Sequence, residues 1–268
     1  MMMRSLTAEF AKLKRSKMIW WTVAAIVLYS AMSFAIAPFL GEDDAAAMVE
    51  AGGVWKQAAE VGMYDDTWRA GLLQGPWGLA SGLALLLFAF IAAYVFGREF
   101  KERTAVQAFT TPIPRGYLVL AKTVVLAAWV FAWSALYFVV HIFDLAVLNG
   151  GFATFEWSAL FETLGDVLLV TLMLYMTLPL FGWLAVWGKG YLRPMLAVIV
   201  IMGVGNGLAT TDVSPYWPWN MPLHAVGTSW MPIPPSEFAP ISWIGLVVLF
   251  AAGLAGTIWY VGHADIGG

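Results

Sequence analysis

Residues 97–122 read GREFKERTAVQAFTTPIPRGYLVLAK, and this stretch decides how the chain is to be folded. Arg98, Glu99, Lys101, Glu102, Arg103, Arg115 and Lys122 place seven charges in it, although only 12% of the chain is Asp, Glu, Lys or Arg. Long apolar runs flank it on both sides. A soluble domain is about 45–50% apolar and about 25% charged, whereas this 268-residue chain is 61% hydrophobic with 15 tryptophans. Too little polar surface is left for a soluble fold. The composition implies an integral membrane protein, and the quoted stretch then becomes a charged connection between two spans.

Working outward, a span needs about 20 apolar residues to cross about 30 Å of hydrocarbon. Six stretches qualify, at 18–40, 77–96, 118–143, 164–187, 195–211 and 241–261. The expected fold is all-α: a cytoplasmic amphipathic interfacial helix over 1–17, then a single six-helix transmembrane domain over 18–268, with a cytoplasmic coupling helix between spans two and three. Residues 1–37 resemble a signal peptide, with a basic start and Ala35-Ile36-Ala37 after an apolar run. The expectation is that this segment is retained as the first span.

Basic residues set the orientation. With the N-terminus in the cytoplasm, Arg4, Lys12, Lys14, Arg15, Lys17, Arg98, Lys101, Arg103, Arg115, Lys122, Lys189 and Arg193 all fall inside. These are 12 of the 14 basic residues, and only Lys56 and Arg69 fall outside. Acidic residues do the reverse, with Glu42, Asp43, Asp44, Asp65 and Asp66 in the first outer segment. Both termini are therefore expected in the cytoplasm of a multi-pass protein of the cell membrane.

The N-terminal SLTAEFAKLKRSK places Leu6, Phe10 and Leu13 on one helical face, with Lys12, Lys14, Arg15 and Lys17 around it. That pattern suits a helix lying in the membrane interface; a solvated basic tail is the plainer alternative. The last outer segment, 212–240, is rich in Pro and Trp, which favours a loop folded back onto the outer membrane surface.

Several chemistries are excluded. The chain has no cysteine, hence no disulfide, thiolate metal site or Cys nucleophile. It has no phosphate-binding loop and no zinc-protease or serine-hydrolase motif. Its three histidines, His141, His224 and His263, lack partners at metal-ligand spacing, and no metal site is expected. His141 and Asp144, three apart, suggest either a proton or metal site or an interfacial hydrogen bond. Asp166 falls in the first turn expected for span four, where it either caps the helix or takes part in translocation. Nothing in the charge pattern calls for nucleic acid.

Within the quoted stretch, Glu99 and Arg103 stand at i and i+4, a favourable helical order. Thr104 and Gln107 suit a cap that starts a second short helix. Pro112 and Pro114 then require an extended exit, and Arg115 and Lys122 return the chain among phosphate headgroups. Physics alone allows either a structured elbow or an ordinary basic loop.

Here the sequence resembles a family. E-x4-T-x7-P-x2-R-x6-K, carried by Glu99, Thr104, Pro112, Arg115 and Lys122, is similar to the pattern of permease subunits of ABC exporters of the bacitracin and lantibiotic type. AEFAKLKRSK (residues 8–17) and PYWPWNMP (215–222) are similar to that family's interfacial helix and its outer Pro-aromatic segment. Arg103 departs from it, since many relatives have Gly there.

The resemblance implies a permease that uses a separate ABC ATPase in two copies, pairs with a second identical or homologous permease chain, and exports an amphiphilic molecule such as a peptide antibiotic. The permease chain itself would be no enzyme and carry no cofactor, with ATP and Mg held by the ATPase. Arg98, Glu99, Phe100, Lys101, Glu102, Arg103, Thr104, Phe109 and Arg115 would form the ATPase-coupling site, with charged residues steering and Phe100 and Phe109 anchoring. A non-transporting scaffold is the alternative, and reversal of the Glu99 charge is the expected discriminator.

Overall fold

The structure, a computed structural model, describes residues 2–14, 16–36, 68–104, 114–153, 155–209, 211–226 and 238–263. Its helices are α1 (Met2–Lys14), α2 (Met18–Ile36), α3 (Trp68–Ala80), α4 (Leu83–Lys101), α5 (Arg115–Leu148), α6 (Trp157–Trp187), α7 (Leu192–Leu208), α8 (Met221–Val226) and α9 (Pro240–His263), with a 3-10 turn at Ser214–Tyr216. No β-strand occurs among the described residues.

Four helices, α4, α5, α6 and α9, are long and apolar enough to cross a membrane. The expected spans at 18–40 and 195–211 correspond to shorter apolar helices, Met18–Ala31 within α2 and Leu192–Leu208. At 34 and 31 residues, α5 and α6 are about 51 and 46 Å long at 1.5 Å per residue. Both outrun the hydrocarbon.

Two expected boundaries need correction. The second span, placed at 77–96, is not one helix: α3 ends at Ala80 and α4 starts at Leu83. Gly82 between them has φ of 94°, a left-handed conformation that glycine adopts without a Cβ clash. Hydropathy averages across such a break and cannot register it. The helix that carries the fourth expected span, 164–187, starts earlier, at Trp157. Asp166 therefore lies more than two turns inside α6 and does not cap it.

Contacts sort the helix ends into two groups. At one end, here the basic end, α1 meets α4 and α5 through charged side chains described below. Ser16 Oγ lies 2.7 Å from Tyr94 Oη, and Arg115 Nη1 donates to the Val261 carbonyl at 2.8 Å. A Cβ on Gly97 would stand 3.2 Å from the Gly190 carbonyl oxygen, so the α6–α7 turn lies beside the last turns of α4. At the other end Ser30 Oγ donates to Asp144 Oδ1 at 2.9 Å, and Trp68 packs on Phe152 and Phe155.

Lipid is as apolar as leucine, so helices in a membrane associate through close packing and hydrogen bonds. Both devices recur. α2 is tied to α5 by Trp133 Nε1, which donates to the Thr22 carbonyl at 2.9 Å. α3 carries Gly71, Gly75 and Gly78 on the face toward α5, where added Cβ atoms would meet Leu145, His141 and Tyr137 within 3 Å. Between α6 and α9 the backbones touch: a Cβ on Gly253 would stand 2.5 Å from the Leu180 nitrogen. α6 is central, contacting α3, α4, α7, α8 and α9, with Leu174, Leu178 and Phe181 buried along it.

The Pro- and Trp-rich segment 212–240, expected on the outer side, is partly described. Ser214, Asn220 and His224 are buried together. Asn220 Nδ2 donates to the Gly205 carbonyl at 2.9 Å and to Ser214 Oγ at 3.0 Å, and His224 Nε2 lies 2.8 Å from Ser214 Oγ. This polar knot holds residues 211–226 on the end of α7. The acidic cluster of the first outer segment lies outside the described residues.

Candidate coupling site

The quoted stretch begins as helix. α4 continues through Lys101, and its end is built by two backbone bonds: Thr104 N–H donates to the Glu99 carbonyl at 2.9 Å, and Arg103 N–H to that of Phe100 at 3.3 Å. Such a helix end requires a left-handed residue one position past the cap. Arg103 fills it with φ of 58°. The departure from glycine noted in the sequence therefore leaves the turn geometry intact, at a local conformational cost of about 1–2 kcal/mol for a residue with a Cβ.

α6 ends in the same way. Gly190 N–H donates to the Ala185 carbonyl at 2.9 Å, Lys189 N–H to that of Val186 at 3.1 Å, and Lys189 has φ of 50°. At the opposite end α5 uses glycine for this job, Gly150 with φ of 68°. The basic end thus places cations where the other end places glycine. Cations favour the negative pole of a helix C-terminus, which offsets part of the strain.

The charged residues of the stretch divide into two sets. Lys101, Glu102 and Arg103 are exposed. Arg98 and Glu99 are buried, at 7% and 3% exposure, within a cluster that reaches three helices. Glu99 Oε1 lies 2.8 Å from Lys12 Nζ on α1 and 3.1 Å from Lys122 Nζ on α5. Glu9, on α1 and also buried, pairs with Lys12, with Arg98 at 3.4 Å and with Lys122 at 3.4 Å. Lys122 Nζ further donates to the Val95 carbonyl at 2.8 Å. The guanidinium of Arg98 sits over the Tyr94 ring, 5.7 Å from its centre.

Three cations stand against two carboxylates; Glu9, Glu99, Arg98 and Lys122 are buried, while Lys12 reaches the surface. Burial lowers the Lys12 pKa, but the Glu99 and Glu9 carboxylates outweigh it, and the ammonium is held above its ordinary range. Glu99 Oε2 is buried without a hydrogen-bond partner, beside a small cavity lined by Phe96, Leu118, Val186 and Val261. The carboxylate therefore keeps unused acceptor capacity.

Three sequence readings change here. Glu99 pairs with Lys12 and Lys122 rather than with Arg103, because Arg103 lies past the helix end with its backbone turned left-handed. Lys122 is buried in the cluster, not placed among headgroups. Arg115 caps α9, donating to the Val261 and Gly262 carbonyls. Phe100 and Thr104 are half-buried, Phe100 packing against the core. Phe109 and the short helix expected after Thr104 lie outside the described residues. Pro114 has the expected extended conformation, with φ of −54° and ψ of 127°.

Away from this end, His141 and Asp144 have separate partners. His141 Nε2 lies 2.9 Å from the Gly71 carbonyl oxygen, while Asp144 accepts from Ser30. No group of three metal-ligating side chains occurs among the described residues. Asp166 is half-buried on α6, one turn after the exposed Glu162. Neither His141 nor Asp166 is brought near the ion cluster.

Sequence reasoning missed Glu9 altogether. Its signal was a lone acid three residues before Lys12 in an otherwise basic helix. Of the apolar face only Leu13 packs against the core, whereas α1 buries Ser5 and Glu9 and leaves Phe10 exposed.

No solved structure matches the chain. It is similar to the bacitracin transport permease protein BCRB of Bacillus licheniformis, 27% identical over 180 residues that make up 67% of this chain and 84% of that protein. The family model described as ABC-2 family transporter protein matches residues 5–205, which run from α1 through α7 and include Glu9, Glu99 and Lys122. That match covers most of the chain, in which four of the described helices are long and apolar enough to cross a membrane: the chain belongs to the ABC-2 family of transporter proteins.

Proposed function

We propose that this chain is the transmembrane permease of an ATP-driven exporter, working with two copies of a separate ABC ATPase and a second permease chain, identical or homologous. The observation that carries the reading is the division of the quoted stretch. Lys101, Glu102 and Arg103 are exposed at the tip of a helix whose preceding residues, Arg98 and Glu99, are locked into the bundle. A partner that grips the tip therefore moves α4, and through the ion cluster α1 and α5 as well.

Binding of ATP and Mg by the partner supplies the energy. Closure of the ATPases shifts the permease only insofar as they bind one of its states better than the other. Lys101 and Arg103 steer and register the contact, and the basic end faces the cytoplasm of a prokaryotic cell, with both termini there. The cargo is amphiphilic. The relative's name makes a peptide antibiotic the first class to try, and the apolar interior of the spans suits such a molecule better than a small hydrophilic ion.

The test is gentle purification of the full chain from its native membrane, with an ATP hydrolysis assay on what accompanies it. Since Glu99 is buried, the discriminating variant is the exposed pair Lys101→Glu with Arg103→Glu. We expect an ATPase to accompany the wild-type chain and to be lost from the double variant while the permease stays folded. Abundant permease without any ATPase activity would favour the scaffold reading instead.

A further inference from the structure

The elbow has two roots, the last turn of α4 and the first turns of α5, and a single side chain from a third helix touches both. Glu9 of α1 pairs with Arg98 on α4 and with Lys122 on α5. Lys12, one turn along α1, pairs with Glu99 on α4. Direct links between the roots also exist, Lys122 to Glu99 and to the Val95 carbonyl. Two roots joined only to each other can still swing together. A strut from α1 to both removes that freedom.

α1 also packs along α5 and sets Leu13 against the core, but its fully buried side chains are polar. Its buried residues are Ser5 and Glu9, and Met2, Met3 and Phe10 are exposed. If Glu9 loses its charge, the buried Arg98 and Lys122 and the half-exposed Lys12 face the single carboxylate of Glu99. Like charges then repel, and the uncompensated cations favour water over the cluster. The three helices then keep only the tie through Glu99, which must serve Lys12 and Lys122 alone.

We infer that Glu9 is a positioning residue for the elbow: it fixes the direction in which residues 101–104 leave the bundle by bracing α1 across both roots. The motif residue Glu99 serves the same brace from inside rather than meeting the partner. The inference rests on the reading of the elbow as the ATPase contact, but its geometry can be measured without any ATPase.

The chain has no cysteine, so spin labels can be placed directly on the full-length protein in lipid nanodiscs. Ala11→Cys on α1 with Glu102→Cys at the elbow reports the brace; both positions are exposed. Val147→Cys with Phe161→Cys, exposed near the far ends of α5 and α6, reports the rest of the bundle. We expect a narrow distance distribution for the first pair, its loss to a longer and broader one in Glu9→Gln, an unchanged second pair, and recovery of the narrow distribution in Glu9→Asp. A narrow first-pair distribution that persists in Glu9→Gln overturns the inference. Should Glu9→Gln disturb both pairs, Glu9→Asp decides: recovery of both supports the brace, and a first pair that stays broad overturns it. If the Lys101→Glu, Arg103→Glu variant keeps its ATPase, the reading of the elbow as a contact falls, while the label distances still judge Glu9.

Discussion

Lys122 Nζ lies 2.8 Å from the carbonyl oxygen of Val95 and 3.1 Å from Glu99 Oε1, so one ammonium joins the start of α5 to both the backbone and the carboxylate of the last turns of α4. Lys122 is 3% exposed. Breaking a buried pair by removing one partner costs about 3–5 kcal/mol. Lys122→Met is expected to lower stability by an amount of that order, read as a drop in thermal midpoint in detergent. Adding Glu99→Gln to it should cost less than the two single losses combined, because the partners are coupled. Strict additivity would mean that the two residues do not share an interaction.

Arg103 and Lys189 occupy left-handed positions that glycine fills without strain. Arg103→Gly should therefore stabilise the chain by about 1 kcal/mol, and Lys189→Gly by a similar amount. Arg103→Gly also removes an exposed charge at the elbow, so its thermal midpoint should rise while its ATPase content falls. A rise in both would show that the charge is dispensable for docking.

Gly253 lets the backbones of α6 and α9 touch. A side chain there has no room, since its Cβ would stand 2.5 Å from the Leu180 nitrogen and 2.6 Å from the Pro179 carbonyl carbon. Overpacking of this kind costs about 1–3 kcal/mol, and more when backbone is the obstacle. Gly253→Val should lower the thermal midpoint markedly. Gly245→Ala on the same helix, with nothing within 4 Å of its Cβ, should leave it nearly unchanged.

Asn220 donates two hydrogen bonds that hold the outer segment to α7. Asn220→Ala should lose about 1 kcal/mol for each. Because the segment is peripheral, the loss should appear as faster hydrogen exchange over 211–226, with the helices of the core unaffected. Uniform acceleration across the chain would contradict this.

How much of this was legible beforehand depends on the kind of interaction. Apolar stretches announce themselves because each must satisfy its own backbone in lipid, and α4, α5, α6 and α9 follow from length and hydropathy. The charged connection and Pro114's extended exit were legible for the same reason, being local. The fate of Glu99 was not. Its partners lie 87 positions earlier and 23 later, and no pattern within α4 distinguishes a carboxylate aimed at solvent from one aimed at Lys12. The break at Gly82 escaped because GLLQGPWGLASG still averages as apolar, although GLLQG (71–75) is a spacing of small residues known to bring membrane helices together. Glu9 escaped because amphipathic helices are read by their apolar face, whereas α1 packs Leu13 on the core and buries Ser5 and Glu9 deeper.

The interruption at Gly82 has a mechanical consequence. A helix is stiff along its axis because every turn is bonded to the next, and that ladder stops between Ala80 and Leu83. From Lys101 back to Leu83 the ladder is unbroken, so α4 is one stiff rod. At Gly82 the rod ends against Met202 of α7, whose Cε would stand 3.1 Å from an added Cβ. Beyond it α3 is seated on α5 by Gly71, Gly75 and Gly78. The span is thus jointed rather than continuous: α3 and α4 meet at Gly82 as two separate rods, each seated on α6 as well as on its own neighbour.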